Sequence, residues 1–161
     1  MKKTQLRFII FLVLAVIVLM FIFGNSLKSG EESNKISTGV MEFILGVIDP
    51  AGKIDTKVAH VFVRKAAHFV EFMLYGMCLC GMALAVLEEK KKMYAALTLF
   101  VALFSAVIDE VIQGFTSRTS SPRDILLDFC GSVFGVIIEF AVGNAVMKHR
   151  AAKKERKTKR K

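Results

Sequence analysis

Cysteine is scarce in this chain: three residues in 161, Cys78, Cys80 and Cys130. All three fall inside apolar runs and none lies in a hydrophilic segment, so there is no disulfide framework and they read as small packing residues. No internal repeat is apparent, no A-x-A-like cleavage site follows the N-terminal apolar run, and no nucleophile motif stands out from the scattered serines. No aromatic-basic platform accompanies the basic residues, which argues against nucleic acid as a partner.

Apolar residues, by contrast, make up 54% of the chain, with a mean hydropathy of +0.52. That composition excludes a disordered protein, and its arrangement in long runs argues against a soluble domain. The first run, residues 8–27, has no charge between Arg7 and Lys28. At about 1.5 Å per residue it is about 30 Å long, enough to cross a bilayer. It is long for the apolar part of a signal peptide and reads as an uncleaved anchor. Further spans are expected at residues 66–87, 93–113 and 122–141, the last opened by Ser120 and Ser121 before a proline suited to a first helical turn. The segment 40–48 (VMEFILGVI) contains Glu42 and is too short to span. The expected fold is therefore an all-α polytopic membrane protein. It is a four-transmembrane-helix bundle with an extracytoplasmic loop carrying a short interfacial helix.

The formal net charge is +9, but residues 148–161 hold nine Lys+Arg and one Glu, so the tail contributes +8 and the rest of the chain +1. Residues 1–147 are read as one membrane domain and 148–161 as a basic cytoplasmic tail, a topology determinant able to touch anionic lipid. Four spans put both termini on one side. Lys2, Lys3, Arg7, Lys90, Lys91, Lys92 and the nine tail residues then total 15 basic residues on that side, against eight on the other: Lys28, Lys35, Lys53, Lys57, Arg64, Lys65, Arg118 and Arg123. The positive-inside bias predicts a multi-pass protein of the cytoplasmic membrane with both N- and C-termini cytoplasmic.

The direction of each span brings polar residues to one depth. His68 and Glu71 fall at the start of the second span, Asp109, Glu110 and Gln113 at the end of the third, and Asp124 and Asp128 at the start of the fourth. Helical spacing also gives each span one polar or small stripe: His60, Arg64, His68, Glu71 and Tyr75; Thr98, Ala102, Ser105, Asp109 and Gln113; Asp124, Asp128, Gly131 and Gly135. In lipid these stripes should face one another, with Gly131 and Gly135 allowing close approach. A charged side chain at mid-membrane costs at least about 2.5 to 3.5 kcal/mol on insertion scales, so the carboxylates need partners. Arg64, Lys65, Arg118 and Arg123 stand at the same level. Two readings stay open: a staple of ion pairs holding the bundle together, or a polar pocket open to the outer surface.

The residues RKAAHFVE at 64–71, AVIDEVIQGF at 106–115, and Arg118 followed by Asp124, Asp128, Gly131 and Gly135 in SRTSSPRDILLDFCGSVFG resemble the VanZ-like family of bacterial membrane proteins. That family carries K-x-x-H-F-x-E-[FY], D-E-x-x-Q-x-F and R…D-x-x-x-[ND]-x-x-G-x-x-x-G elements on successive helices. Lys65, His68, Phe69, Glu71 and Phe72 match the first, and Asp109, Glu110, Gln113 and Phe115 the second. A Pro-Gly pair usual before the arginine is replaced by Thr116 and Ser117. The resemblance implies a role at the cell envelope in resistance to glycopeptide antibiotics, teicoplanin especially, without supplying a reaction.

The predicted polar site therefore comprises Arg64, Lys65, His68, Glu71, Asp109, Glu110, Gln113, Arg118, Asp124 and Asp128. Besides the lipid bilayer, its expected ligand is a cell-wall lipid precursor or a lipoglycopeptide, held by the arginines through charge-assisted bonds. An acid/base or metal-assisted enzyme acting on a lipid phosphate is the alternative, and a small carrier subunit or structural bundle a third. His68 and Glu71, three residues apart, could join carboxylates in an oxygen-rich Mg²⁺ or Mn²⁺ shell, but the adjacent cations argue against a cation cage. No metal or cofactor is expected, and no catalytic residue is assigned.

Overall fold

The computed structural model describes residues 3–49, 52–86, 91–116, 118 and 120–158. The predicted end of the second span at Leu87, the topology residues Lys2 and Lys90, Ser117 of the loop and tail residues 159–161 lie outside them. Among the described residues five helices follow in order: α1 (Lys3–Ser26), α2 (Gly30–Ile48), α3 (Thr56–Val86), α4 (Lys91–Phe115) and α5 (Pro122–Thr158). Four of them, all but α2, are long and apolar enough to cross a membrane. The chain is an all-α, multi-pass membrane protein.

Local chemistry sets the helix ends. Ser29 caps α2, its hydroxyl accepting from the Glu32 N–H at 3.2 Å, and Glu31 and Glu32 place negative charge in the first turn where the helix dipole favours it. As a result α2 spans 19 residues and starts about ten earlier than its apolar segment at 40–48 indicates. Asp49 ends it, donating its N–H to the Leu45 carbonyl at 2.8 Å, and Gly52 turns the chain with a φ of +64°, a conformation glycine adopts without strain. At α5, Ser121 precedes the proline and accepts from the Arg123 N–H at 3.3 Å and, through its carbonyl, from the Asp124 N–H at 2.9 Å. α5 then continues without a break into the basic tail, to Thr158.

α3 is the central helix, packed most extensively against α5 and then against α1. A Cβ placed on Gly131 would strike the Phe69 carbonyl, one on Gly135 the Met73 carbonyl, and one on Gly76 the Ser132 carbonyl. The α3–α5 seam is thus held at backbone-to-backbone distance by glycines on both helices, the small-residue packing expected in a membrane. Ser132 reinforces it by donating to the Phe72 carbonyl at 3.2 Å. Ala15, Ile22, Phe72, Tyr75, Cys78 and Ala106 form the core, while Ile10, Val13, Ile17, Met20, Phe100, Phe104 and Ile137 point outward. Outward apolar side chains suit hydrocarbon surroundings, where there is no water to avoid. Gly81 packs against Phe11 and Gly143 against Leu84, so α1 begins and the apolar part of α5 finishes at the same end of the bundle. The three cysteines are free, Cys78 and Cys80 buried and Cys130 exposed.

Candidate functional site

At the opposite end, where α1 and α4 finish and α3 and α5 start, the polar residues meet. Asp109, Glu110 and Asp128 are 0%, 2% and 1% exposed, a concentration of buried carboxylates that needs compensation. Asp109 is well supplied: Ser26 Oγ donates to Oδ1 at 2.6 Å and Gln113 Nε2 to Oδ2 at 2.6 Å. The i,i+4 step from Asp109 to Gln113 puts the amide directly over the carboxylate. Thr116 Oγ1 lies 3.1 Å from the Ser26 carbonyl and 3.0 Å from that of Gln113, fastening the end of α4 to the end of α1. Glu110 accepts from the Ser121 N–H, which ties it to the start of α5.

His68 of α3 stands between α4 and α5. Its Nδ1 is 3.9 Å from Asp109 Oδ2 and 3.9 Å from Asp128 Oδ1, beyond hydrogen-bonding reach of both. Its Nε2 faces Arg118 Nη2 at 3.4 Å. A guanidinium only donates, so this contact puts the ring's lone pair on Nε2. Among the described residues, both carboxylate oxygens of Asp128 are buried without a hydrogen-bond partner, as are His68 Nδ1, Glu71 Oε2, Glu110 Oε2 and Arg118 Nε.

The basic residues divide unequally. Lys65 pairs with Asp124, with the two side chains 47% and 22% exposed. Arg123 is exposed at the mouth, Arg64 is half-buried, and neither forms an ion pair among the described residues. Arg118 has no carboxylate within ion-pair distance in the same set. Burial, and then the charge of Arg64, push its pKa down from the usual guanidinium range, while Asp109, Glu110 and Glu71 oppose the shift. The sequence places four cations level with the carboxylates; among the described residues the structure pairs only Lys65.

Six of the ten expected residues, Arg64, Lys65, His68, Gln113, Asp124 and Asp128, line one small cleft together with Leu127. Asp109 lies behind His68 and Gln113, and Arg118 against His68. Glu71 turns instead toward α1, accepting from Asn25 Nδ2 at 3.0 Å, and Lys28 Nζ donates to Asn25 Oδ1 at 2.8 Å. His68 and Glu71 therefore do not form a pair of metal donors. His68, Asp109 and Asp128 do come together, each offering one donor atom, all within 4.8 Å of one another. Asn25 and Ser26 are the contributors that sequence reasoning did not select. They close an otherwise apolar run and look like the end of a span, and their only signal is that they are its last two polar residues before Lys28.

No curated protein and no solved structure matches the chain. Against known families it matches VanZ/LLP1 over residues 10–143, a range that takes in the second and third candidate spans, most of the first and fourth, and every residue of the cluster. With its three polar elements assembled at one end of a four-span bundle, the chain belongs to the VanZ/LLP1 family.

Proposed function

We propose that the polar end of the bundle faces the outer leaflet of a bacterial cytoplasmic membrane and binds the anionic head group of an envelope lipid or cell-wall precursor, lowering susceptibility to teicoplanin-type lipoglycopeptides. The observation that carries this reading is Arg118: a half-buried guanidinium whose Nε has no hydrogen-bond partner among the described residues and whose Nη2 faces an imidazole and not a carboxylate, beside a cleft lined by Arg64 and Lys65. A phosphate or carboxylate suits such a fork better than histidine does, because it accepts two parallel charge-assisted bonds. Family membership supports the link to glycopeptide resistance, and the 15 to 8 charge division supports the orientation. Residues 1–147 act as one membrane unit, with 148–161 on the cytoplasmic side.

Strains lacking the protein, complemented or not, distinguish this reading by their susceptibility to teicoplanin and vancomycin. Complementation should raise resistance to teicoplanin more than to vancomycin, the drug without the lipid tail. Equal susceptibility of both strains to both drugs defeats the resistance reading. With purified protein and a lipid pyrophosphate, saturable binding without turnover is expected; turnover would make the protein an enzyme.

A further inference from the structure

We propose that His68, Asp109 and Asp128 form a binding site for one divalent first-row cation, Zn²⁺ or Mn²⁺, with the donor atoms His68 Nδ1, Asp109 Oδ2 and an oxygen of Asp128. The inference does not depend on head-group binding.

Distance is the first support. Two gaps of 3.9 Å separate the imidazole nitrogen from the two carboxylate oxygens, too long for hydrogen bonds. Ligands at about 2.0–2.2 Å from a common ion lie roughly 3–4 Å apart, so the same gaps suit atoms bridged by a metal. Orphaned atoms are the second. Asp128 is 1% exposed and among the described residues both its oxygens lack a hydrogen-bond partner, as does His68 Nδ1, while Asp109 is already oriented by Ser26 and Gln113. That pattern matches a metal site in which an outer ring of hydrogen bonds fixes one ligand and the remaining ligands await the ion. Charge is the third. Asp109, Glu110 and Asp128 carry a formal −3, and Arg118 with the cleft residue Arg64 leaves −1, so the buried acids keep an excess of negative charge that a bound cation offsets. Lys65 is engaged by Asp124 at the mouth, so it does not do so.

One nitrogen with carboxylate oxygens is a donor set for Zn²⁺ or Mn²⁺ more than for Ca²⁺, which takes six or more oxygens. Three protein ligands leave coordination positions free, and the cleft lined by His68 and Asp128 has room for about one water. Coordination through Nδ1 requires the ring proton on Nε2, where Arg118 now approaches. Metal binding and the Arg118–His68 hydrogen bond therefore exclude each other.

The test uses the full chain in detergent micelles, stripped with a chelator and equilibrated with Mn²⁺ or Zn²⁺ alone, with neither lipid head group nor antibiotic present. About one equivalent per chain is expected by elemental analysis, with a higher melting temperature, and bound Mn²⁺ should show nitrogen hyperfine coupling from a single imidazole. Asp128→Asn and His68→Gln, on different helices, should each weaken binding at least about tenfold. His60→Gln, outside the three, should not. Folded wild-type protein that binds well below one equivalent with unchanged melting temperature overturns the proposal. So does stoichiometric binding that survives both substitutions, and so does bound Mn²⁺ without nitrogen coupling, a result that needs no variant to fold. Failure of head-group binding would leave all of these readouts in place.

Discussion

Asp109 is fully buried and holds its position through a hydroxyl from α1 and an amide from its own helix. Removing one donor leaves a buried carboxylate oxygen unsatisfied, which costs roughly 1–3 kcal/mol. Ser26→Ala should therefore lower the melting temperature of the detergent-purified protein, and Ser26→Thr, which keeps the hydroxyl, should restore most of it. Equal melting of Ser26→Ala and wild type would mean that water replaces the hydroxyl without loss. The contrast with Asp128 is chemical: Asp109 has two donors, while Asp128, one helix away and equally buried, has none among the described residues. Arg118 completes the asymmetry, a cation set among acids but in contact with histidine.

The seam between α3 and α5 depends on atoms that are missing. At Gly135 an added methyl would run into the Met73 carbonyl, which belongs to helix backbone and cannot swing aside as a side chain can. Overpacking of this kind typically costs about 1–3 kcal/mol, so Gly135→Ala should lower thermal stability. Gly24→Ala, where an added Cβ meets nothing within 4 Å, should be neutral or slightly stabilising because glycine weakens a helix interior. Equal effects at the two positions would remove the close seam as a stabilising feature. The element scale is also where sequence and structure part. α3 starts at Thr56, ten residues before the apolar run at 66, because its first three turns carry Lys57, Arg64 and Lys65, which lower hydropathy while remaining good helix formers. α5 runs on through the tail for the same reason: alanine, lysine and arginine are good helix formers whether or not lipid surrounds them. Helix faces were legible, since 3.6-residue spacing already put His68, Asp109 and Asp128 on inward stripes. The partner of Glu71 was not, because Asn25 sits at the end of a run whose hydropathy reports only that it spans.

Across the whole molecule, the four spans cross in alternating directions and gather the polar residues at one end, with the start of α1 and the tail-bearing end of α5 at the other. Apolar runs made this arrangement readable, whereas which cation serves which acid depends on distances that no spacing rule supplies. Reporter fusions after Lys91 and after Lys161 should read cytoplasmic, and a fusion at Ser33 external; an external Lys161 would reverse the bundle and move the cluster to the inner leaflet. Deleting the chain from Lys153 onward should leave antibiotic susceptibility unchanged, since the tail is remote from the cluster. The decisive measurement is teicoplanin and vancomycin susceptibility of the null strain complemented with Arg118→Ala, with membrane levels of folded protein matched to wild type. Loss of the teicoplanin-selective protection at equal protein level is the predicted result. Retention of full protection would contradict a head-group site at Arg118 and leave the polar cluster as a staple of the bundle.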